Sequence, residues 1–459
     1  MDVLMIQPMM FTDKWAGAVP VAPLGATLIC RALEREGVPY RFLDLCFETS
    51  ETAEALLALA LRERHYDVIA FSIRNVDTTL FVKPIFFLEQ VRQTVDFVRK
   101  HMPSTSRTVV GGAAFSIMPA AILAYLDIDY GIIGEGEETF ITLLRKLSRD
   151  ETVHDIDGIV LHEGDGITVS PKQTFITDLD ACAAVPTRYV DPRYLEPRHS
   201  NMGLARCSIN IQTKRGCSFN CIYCIYPCIE GRRTRAFDSE AVIDTLEEMK
   251  RERGITELEI VDSVFNVPLE QSIAFCEALI RRDLNVEWTA EFVPLNMTAD
   301  YLDLLRRAKC RKTELGIDVV HPTLIKNFRK PFAPEDVERT LMTINRYAMD
   351  HLVYMMIGGP GDDDEKIAFT MAFLEAHHVR TILFFFGIRI YPGTEIERIA
   401  RNENTLGPDD ELLYPHFYFS AAITEESIAC MRDHADRNPG WVFVGLDQIE
   451  SFVSKGATA

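Results

Sequence analysis

Three cysteines stand at CxxxCxxC spacing in Arg215-Gly216-Cys217-Ser218-Phe219-Asn220-Cys221-Ile222-Tyr223-Cys224, just before the middle of the chain. That spacing puts three thiolates on one tight loop. Three thiolates can hold three corners of a cubane 4Fe–4S cluster and leave the fourth iron open to another ligand. A structural zinc ion would want four ligands, usually as two separated pairs. The bland alternatives are inert buried thiols, or zinc with a distant fourth ligand. Cys228 lies four residues past the triplet, near enough to be a fourth ligand. It would close the open iron, so the expectation is a free thiol beside the site. Cys207 lies on the other side of the triplet.

The loop needs elements to hold it, and the sequence on both sides supplies them. The apolar run 208–213 leads in, and strand patterns at 257–261, 286–289, 314–317, 353–357 and 382–388 follow, separated by helical stretches. Six such strands make an α/β unit with its chemistry at the strands' carboxyl ends. Those ends read Asp262, Ser263 and Asn266; Gly316-Ile317-Asp318; Ile357-Gly358-Gly359-Pro360-Gly361; and Tyr391-Pro392-Gly393-Thr394.

Residues 1 to about 150 also alternate short apolar strands (3–6, 41–45, 67–72, 108–110, 130–133) with helices, the first opened by Pro23-Leu24-Gly25. This is the pattern of a doubly wound parallel sheet, whose ligands sit beyond the strand ends. The ends carry Ser72-Ile73-Arg74-Asn75, Gly111-Gly112 and Gly134-Glu135-Gly136-Glu137-Glu138. Glycines there let the backbone approach something large and flat. Glu135 and Glu137 have two readings, as carboxylates favoured at a helix N-terminus or as ligand contacts. Residues 151–205 read as a connector, with a hairpin turning at 163–166 and a proline-dotted stretch through Val185-Pro186-Thr187-Arg188-Tyr189, Pro192 and Pro197. Residues 401–459 hold enough apolar residues, at 415–419 and 441–444, to pack.

Composition narrows the class. The 459 residues are 47% hydrophobic and carry a formal charge of −20. Polyanion binding needs clustered cations, so nucleic acid is not an expected partner. The short run Arg232-Arg233-Thr234-Arg235 reads as an anion site or as a solvated turn. No apolar run approaches the roughly 18–20 residues that span a bilayer, and the start has no basic n-region. Eleven cysteines without a signal sequence point to a reducing, cytoplasmic setting.

Taken together and in this order, the motifs resemble the radical S-adenosylmethionine (SAM) superfamily, in the class with a cobalamin-binding domain ahead of the radical SAM domain. The resemblance covers nearly all of residues 1–400. It implies an α/β chain with a cobalamin-binding-like Rossmann domain (1–150), a linker (151–205), a partial (β/α)6 barrel (206–400) and a capping extension (401–459). It implies a 4Fe–4S cluster on Cys217, Cys221 and Cys224, with SAM on the open iron. Tyr223 would meet the adenine, and Asp262 and Ser263 would face the SAM amino group or the substrate. Asp318, one methylene shorter than the family's glutamate, would hold the ribose or the methionine moiety. Ile357, Gly358, Gly359 and Pro360 would run along the adenine, with Tyr391 ending the sixth strand. For cobalamin it implies contacts from Pro23, Gly25, Ser72, Arg74, Asn75, Gly111, Gly112, Glu135, Gly136 and Glu137.

The usual Asp-x-His-x-x-Gly motif has no histidine here, the place reading Asp44-Leu45-Cys46-Phe47. Cobalamin would then bind without a protein imidazole. Arg74 would lie beneath the corrin as a catalytic residue, unless it pairs with Asp77 or Asp129. The implied activity is methylation of an unactivated carbon of a small, natural-product type substrate. One SAM recharges the cobalamin and a second opens the carbon–hydrogen bond; a single-SAM polar methylation is a variant. The alternative is transfer of a 3-amino-3-carboxypropyl group to a soft acceptor such as arsenite, with a cobalamin-free first domain. Methylthiotransfer is disfavoured, because the first domain has only Cys30 and Cys46. A non-enzymatic sensor would want an output domain, and none is recognisable. A flavodoxin- or ferredoxin-type protein would donate electrons, and Arg389, His416 and Tyr418 are candidate substrate contacts.

Overall fold

The computed structural model describes residues 1–8, 20–164, 166–180, 190–196, 198–199, 205–206 and 209–454. Expectations for 185–189, Pro197, Cys207 and Ser208 therefore lie outside the described residues.

The first part folds as expected. Strands β1 (Val3–Gln7), β2 (Tyr40–Asp44), β3 (Val68–Ser72), β4 (Arg107–Gly111) and β5 (Tyr130–Ile132) pair in parallel in the order 2-1-3-4-5. β1 and β3 are buried at every residue, as strands covered by helices on both faces must be. The helices are α1 (Leu24–Arg35), α2 (Ser50–Glu63), α3 (Leu88–His101), α4 (Ala113–Ile117), α5 (Pro119–Leu126) and α6 (Glu137–Ser148). The short α4 was not legible in the pattern. It exists because Gly112, at φ 103°, turns the chain straight off β4, and a Cβ there would stand 2.5 Å from the Ile73 carbonyl.

The expected hairpin forms from β6 (Ile159–Glu163) and β7 (Gly166–Val169), but it is no linker. β6 pairs antiparallel with β5 and completes a seven-stranded sheet. Ile159, Val160 and Leu161 are buried, so the hairpin closes an edge that would otherwise expose unpaired backbone. The first structural unit thus runs to about residue 170. Further on, Tyr194 donates to Asp44 Oδ2 at 2.7 Å and packs edge-on against Phe47. The connector is therefore fastened across the end of β2, where the family's histidine would stand.

Two short strands, β8 (Arg198–His199) and β9 (Ala205–Arg206), pair with each other. β10 (Asn210–Ile211) starts the second sheet, and β11 (Lys214–Arg215) and β12 (Arg235–Ala236) form an antiparallel clasp around a loop that contains α7 (Tyr226–Glu230). β13 (Glu257–Ile260), β14 (Glu287–Phe292), β15 (Cys310–Asp318), β16 (His351–Ile357) and β17 (Ile382–Phe386) continue the sheet in parallel. β18 (Ile388–Arg389) and β19 (Phe417–Tyr418) pair antiparallel, and β20 (Trp441–Phe443) adds a seventh parallel strand beside β17. The sheet stays open between β10 and β20. Among the described residues no helix is long and apolar enough to cross a membrane.

The tail is thus part of the second sheet as well as a cover for it. Phe443 stacks on Phe384 with ring centroids 4.1 Å apart, and Trp441 Nε1 donates to the Val379 carbonyl at 2.8 Å. Trp441→Ala should cost about 3–5 kcal/mol in equilibrium denaturation. A loss below about 1 kcal/mol, typical of a surface change, would make the tail a loosely attached cap.

Candidate active site

The loop at 216–234 carries all three cysteines, and its entry is braced from behind. Asp262, buried at the end of β13, accepts from Thr213 N at 2.8 Å and Lys214 N at 3.2 Å. Ser263 Oγ donates to the Gly216 carbonyl at 3.1 Å. Both residues support the loop's backbone, a different job from the expected contact with SAM. Asn266 likewise spends its amide on the Val293 and Leu295 carbonyls. Gly216 sits at φ 86°, and a Cβ there would run into the Arg233 carbonyl. Its N–H donates to Glu230 Oε2 at 3.0 Å. Cys217 N donates to the Gly231 carbonyl and Ile222 N to the Phe328 carbonyl, both at 3.2 Å.

Cys217, Cys221 and Cys224 are partly exposed free thiols. Burial pushes the Cys221 thiol up and Cys224 up to about 12, against the pull of the Lys330 ammonium. Such thiols stay protonated until a metal centre displaces the proton. Among the described residues no three His, Cys, Asp or Glu converge on a single-ion site. Cys228, on α7, is exposed.

Beside the loop lies a cluster that the sequence reading half found. Asp318 ends β15 at φ 64°, just past a register skip. It accepts from the Tyr223 hydroxyl and from Lys330 Nζ at 2.7 Å. The Lys330 side chain is 5% exposed, with its ammonium 5.8 Å from the Tyr223 ring centroid. Lys330 was missed because it follows a helix in no motif; only the fold brings it back to the strand end. The Gly358–Gly359 pair is explained by packing. A Cβ on Gly358 would meet the Phe419 ring at 2.5 Å, and one on Gly359 would overlap Phe328. The Pro360 carbonyl accepts from Asn327 Nδ2 at 3.0 Å, and Ile357 is buried.

Two of the proposed substrate contacts have other work. Arg389 is an inter-domain ion pair with Asp77, Nε to Oδ2 2.9 Å, the side chains 3% and 0% exposed. It also lies 4.7 Å from the centroid of the Tyr391 ring, which is buried. Tyr418 OH donates to Glu403 Oε2 at 2.6 Å. His416 lines an opening of about 330 Å³ with Phe81 and Phe417. Arg389 has therefore taken Asp77, and Asp129 accepts from Thr108 Oγ1 at 2.8 Å. Arg74 and Asn75 are exposed just beyond β3. The Arg74 charge acts on both Cys46 and Tyr226, which puts Arg74 where the two domains face each other.

A cavity of about 210 Å³ opens at the carboxyl edge of the first sheet. It gathers Gly25, Ser72, Gly111, Gly112, Glu135, Gly136 and Glu137 from the expected ligand residues, with Leu28, Ile29, Phe71, Ile132 and Phe140 as apolar walls. Pro23 is outside the lining, its carbonyl accepting from Thr27 N at 3.0 Å. Gly25 is informative. It lies in α1, with nothing within 4 Å of where a Cβ would be and no positive φ. Gly25 is exposed in the first turn of the helix, and no described residue stands where its Cβ would be. The space is suited to a ligand.

The opposite wall of the cavity belongs to the second domain: Gln212, Arg215, Ile229 and Glu230. Arg215, two residues before Cys217, holds Glu137 Oε1 at 2.6 Å and Glu135 Oε1 at 3.3 Å. Arg235 holds Glu135 at 2.8 Å from the other side. All four side chains are at most 7% exposed. Glu135 and Glu137 are therefore anchors for the cysteine loop, whichever ligand fills the cavity they also line. Arg235, expected in an anion site or a solvated turn, is one of their partners.

Burial works against the Glu137 carboxylate, but the adjacent Arg215 guanidinium outweighs it and holds the group below its ordinary value. A depressed carboxylate adds stability above its unfolded pKa, about 4.3, and that share is lost as pH falls through the folded value. Glu137→Gln should thus be clearly less stable than the parent at pH 7, with the gap closing below about pH 4. Arg215→Met should cost about 3–5 kcal/mol by stranding the Glu137 carboxylate, Glu135 keeping Arg235. Denaturant titrations across that pH range check both. An equal gap at every pH would contradict the assignment.

Comparison with known proteins matches this division. Residues 211–374 match the Radical SAM superfamily, and residues 18–144 match the B12 binding domain. The tryptophan 2-C-methyltransferase of Streptomyces laurentii is 24% identical over 439 residues, 81% of this chain and 71% of that protein. The anaerobic magnesium-protoporphyrin IX monomethyl ester cyclase of Cereibacter sphaeroides is 25% identical over 327 residues, 69% of this chain and 50% of that protein. Among solved structures, the radical S-adenosylmethionine methyltransferase TsrM from Kitasatospora setae, with cobalamin and a [4Fe-4S] cluster bound, has the same fold at TM-score 0.74 and 23% identity. That match covers 89% of this chain and 76% of that one. The chain thus carries a match to the B12 binding domain, joined by buried ion pairs to the three-cysteine loop of a region that matches the Radical SAM superfamily, and such domains imply a 4Fe–4S cluster with SAM, and cobalamin.

Proposed function

We propose that this chain is a cobalamin-dependent radical SAM methyltransferase that methylates a carbon of a small molecule. The observation that carries the reading is the shared wall: the cavity of the first domain is closed by the arginine and glutamate that brace the cysteine loop. Two cofactor sites built this way face a common space. When bound, the cofactors supply the chemistry, an electron to split SAM from the cluster and a methyl group from cobalamin.

The chain's own residues hold and orient. Cys217, Cys221 and Cys224 hold the cluster by three corners. Tyr223 presents its backbone and ring to the adenine, while Asp318, with Lys330 neutralising its charge, holds the ribose or methionine end of SAM. Gly25, Gly111, Gly112 and Gly136 would leave room for the dimethylbenzimidazole end of cobalamin, and Arg74, exposed just beyond β3, would supply a cation toward the corrin. The ion pairs Arg215–Glu137 and Arg389–Asp77 fix the domains against each other and keep water from the space between. As domains we assign residues 1 to about 170, a connector to about 205, and a radical SAM unit that includes the tail.

Transfer of a 3-amino-3-carboxypropyl group draws no support. It needs the first domain as an empty scaffold, whereas seven of the expected ligand residues line one cavity there, and relatives that match most of the chain include proteins with methyltransferase names. The two electrons that each turnover would need, one at the cluster and one at the cobalamin, would come from a flavodoxin- or ferredoxin-type carrier in a reducing compartment.

Product analysis tests the reading. Reconstituted without oxygen and given a reductant, the protein should convert SAM to 5′-deoxyadenosine, and to S-adenosylhomocysteine only when cobalamin is added. Cys217→Ala should reduce 5′-deoxyadenosine to background. Methylthioadenosine as the main product would contradict methyl transfer.

A further inference from the structure

Two lysines are buried against the cysteine loop, one on either side of it. Lys214, on β11 and three residues before Cys217, is 2% exposed. Its Nζ donates to the Phe265 carbonyl and lies 5.4 Å from the centroid of the Phe265 ring. The Asp262 carboxylate is taken by Thr213 and by the backbone N–H of Lys214. Among the described residues no carboxylate forms an ion pair with the Lys214 ammonium. Burial pulls that ammonium below its ordinary value, with Asp262, Glu270 and the Cys217 thiol acting in the opposite sense. A buried charge with no counter-charge is costly, so its place beside the first cysteine points to an anion that the loop acquires.

Lys330 arrives from the other side. After the helix Pro322–Asn327 the chain turns at Arg329, φ 53°, and Lys330 N donates to the Ile325 carbonyl at 3.0 Å. The Phe328 carbonyl, two residues earlier, is the one that holds Ile222 N of the loop. The turn sends the Lys330 side chain inward, its ammonium 5.8 Å from the Tyr223 ring centroid and 5.5 Å from that of Phe332. Asp318 accepts from it at 2.7 Å. Burial raises the thiols of Cys221 and Cys224. Set against it, the ammonium pulls Cys221 down more than the Asp318 carboxylate pushes it up, and it acts on Cys224 as well. The cation of the pair, more than the acid, is felt at the cysteines.

We propose that Lys214 and Lys330 set the electron affinity of the cluster: two buried cations, one beside Cys217 and one beside Cys221 and Cys224, stabilise its reduced state and raise its reduction potential. The proposal rests on the reading that these three cysteines hold the cluster. A cubane held by three thiolates is an anion, and reduction makes it more negative; its potential follows the net charge, hydrogen bonding and exposure around it. On a chain with a formal charge of −20 the wider surroundings oppose that electron. Charges buried next to the loop act with little screening by salt. In the reduction itself the cluster gains one electron and a low-potential reductant such as dithionite loses one.

The test is a redox titration of the full chain reconstituted with iron and sulfide, without SAM or cobalamin. Dithionite is the reductant, and the reduced cluster is followed by electron paramagnetic resonance. Lys214→Met and Lys330→Met should each lower the equilibrium constant for electron uptake by about tenfold, a shift of about 59 mV toward more negative potential. Lys330→Arg keeps the charge and should stay near the parent. Lys309→Met, which removes an exposed lysine just before β15 at the end away from Asp318, should leave the potential unchanged. The apoproteins are melted in parallel. Lys214→Met should melt no lower than the parent, because it removes a buried charge that has no partner. Parent-like potentials in both methionine variants would overturn the proposal. An equal shift in Lys309→Met would overturn it too, by making the effect one of net charge. A Lys330→Met shift that appears only when SAM is added would make Lys330 a SAM contact and overturn its share. A markedly lower melting temperature of Lys214→Met, with loss of iron, would make Lys214 a structural residue and overturn its share. A parent that gives no 4Fe–4S signal would instead contradict the cluster reading beneath the proposal.

Discussion

Four charges are buried where the two sheets meet: the guanidiniums of Arg215 and Arg235 and the carboxylates of Glu135 and Glu137. Burying charge is expensive, and the mutual attraction of a buried network offsets that cost only when geometry is good and every group is bonded. Such a network is therefore weak as a source of stability and strong as a device for position. Here it specifies one thing. The arginine two residues before Cys217 is held by the glutamates that line the cavity of the first domain. The cysteine loop and that cavity cannot shift independently without stranding a charge.

A second buried pair does the same at the far side. Arg389 leaves the last strands of the second sheet and reaches Asp77, just beyond β3. With one bolt near β11 and another at β18, relative motion of the domains is limited to what both pairs allow. Chemistry that moves a methyl group between two bound cofactors and a substrate depends on placement at the ångström level. Much of the described structure around the site, from Asp262 under the loop to Tyr194 across the end of β2, serves that placement.

The sequence was most informative where spacing alone fixes geometry. The cysteine triplet, the strand–helix alternation of both sheets and the glycines at strand ends were all readable, because each is local. Seven of the residues expected around cobalamin do line one cavity. What could not be read is long-range. Glu135 and Glu137 looked like cofactor contacts or helix-terminal acids because their partners lie 78–100 residues away. Arg389 looked like a substrate contact for the same reason, its partner being 312 residues upstream. Asp262 and Ser263 stood in the expected place and proved to face the loop's backbone. Lys330 had no motif at all. Two-residue strands such as β10, and the seventh strand supplied by the tail, carry too little periodicity to be assigned.

The central claim is that the first domain is a working cobalamin site set against the cluster loop, and Gly25 gives the most direct access to it. A leucine there has room for its Cβ among the described residues, and the rest of its side chain would take up space in the cavity that Gly25 lines. The measurement is cobalamin retained after anaerobic reconstitution with iron, sulfide and hydroxocobalamin, followed by desalting, for the parent and for Gly25→Leu, with iron and melting temperature recorded for each. The account predicts stoichiometric cobalamin on the parent and little on the variant, with both folded and both holding their iron. A parent that keeps its cluster but no cobalamin, or a variant that retains cobalamin as well as the parent does, would contradict it.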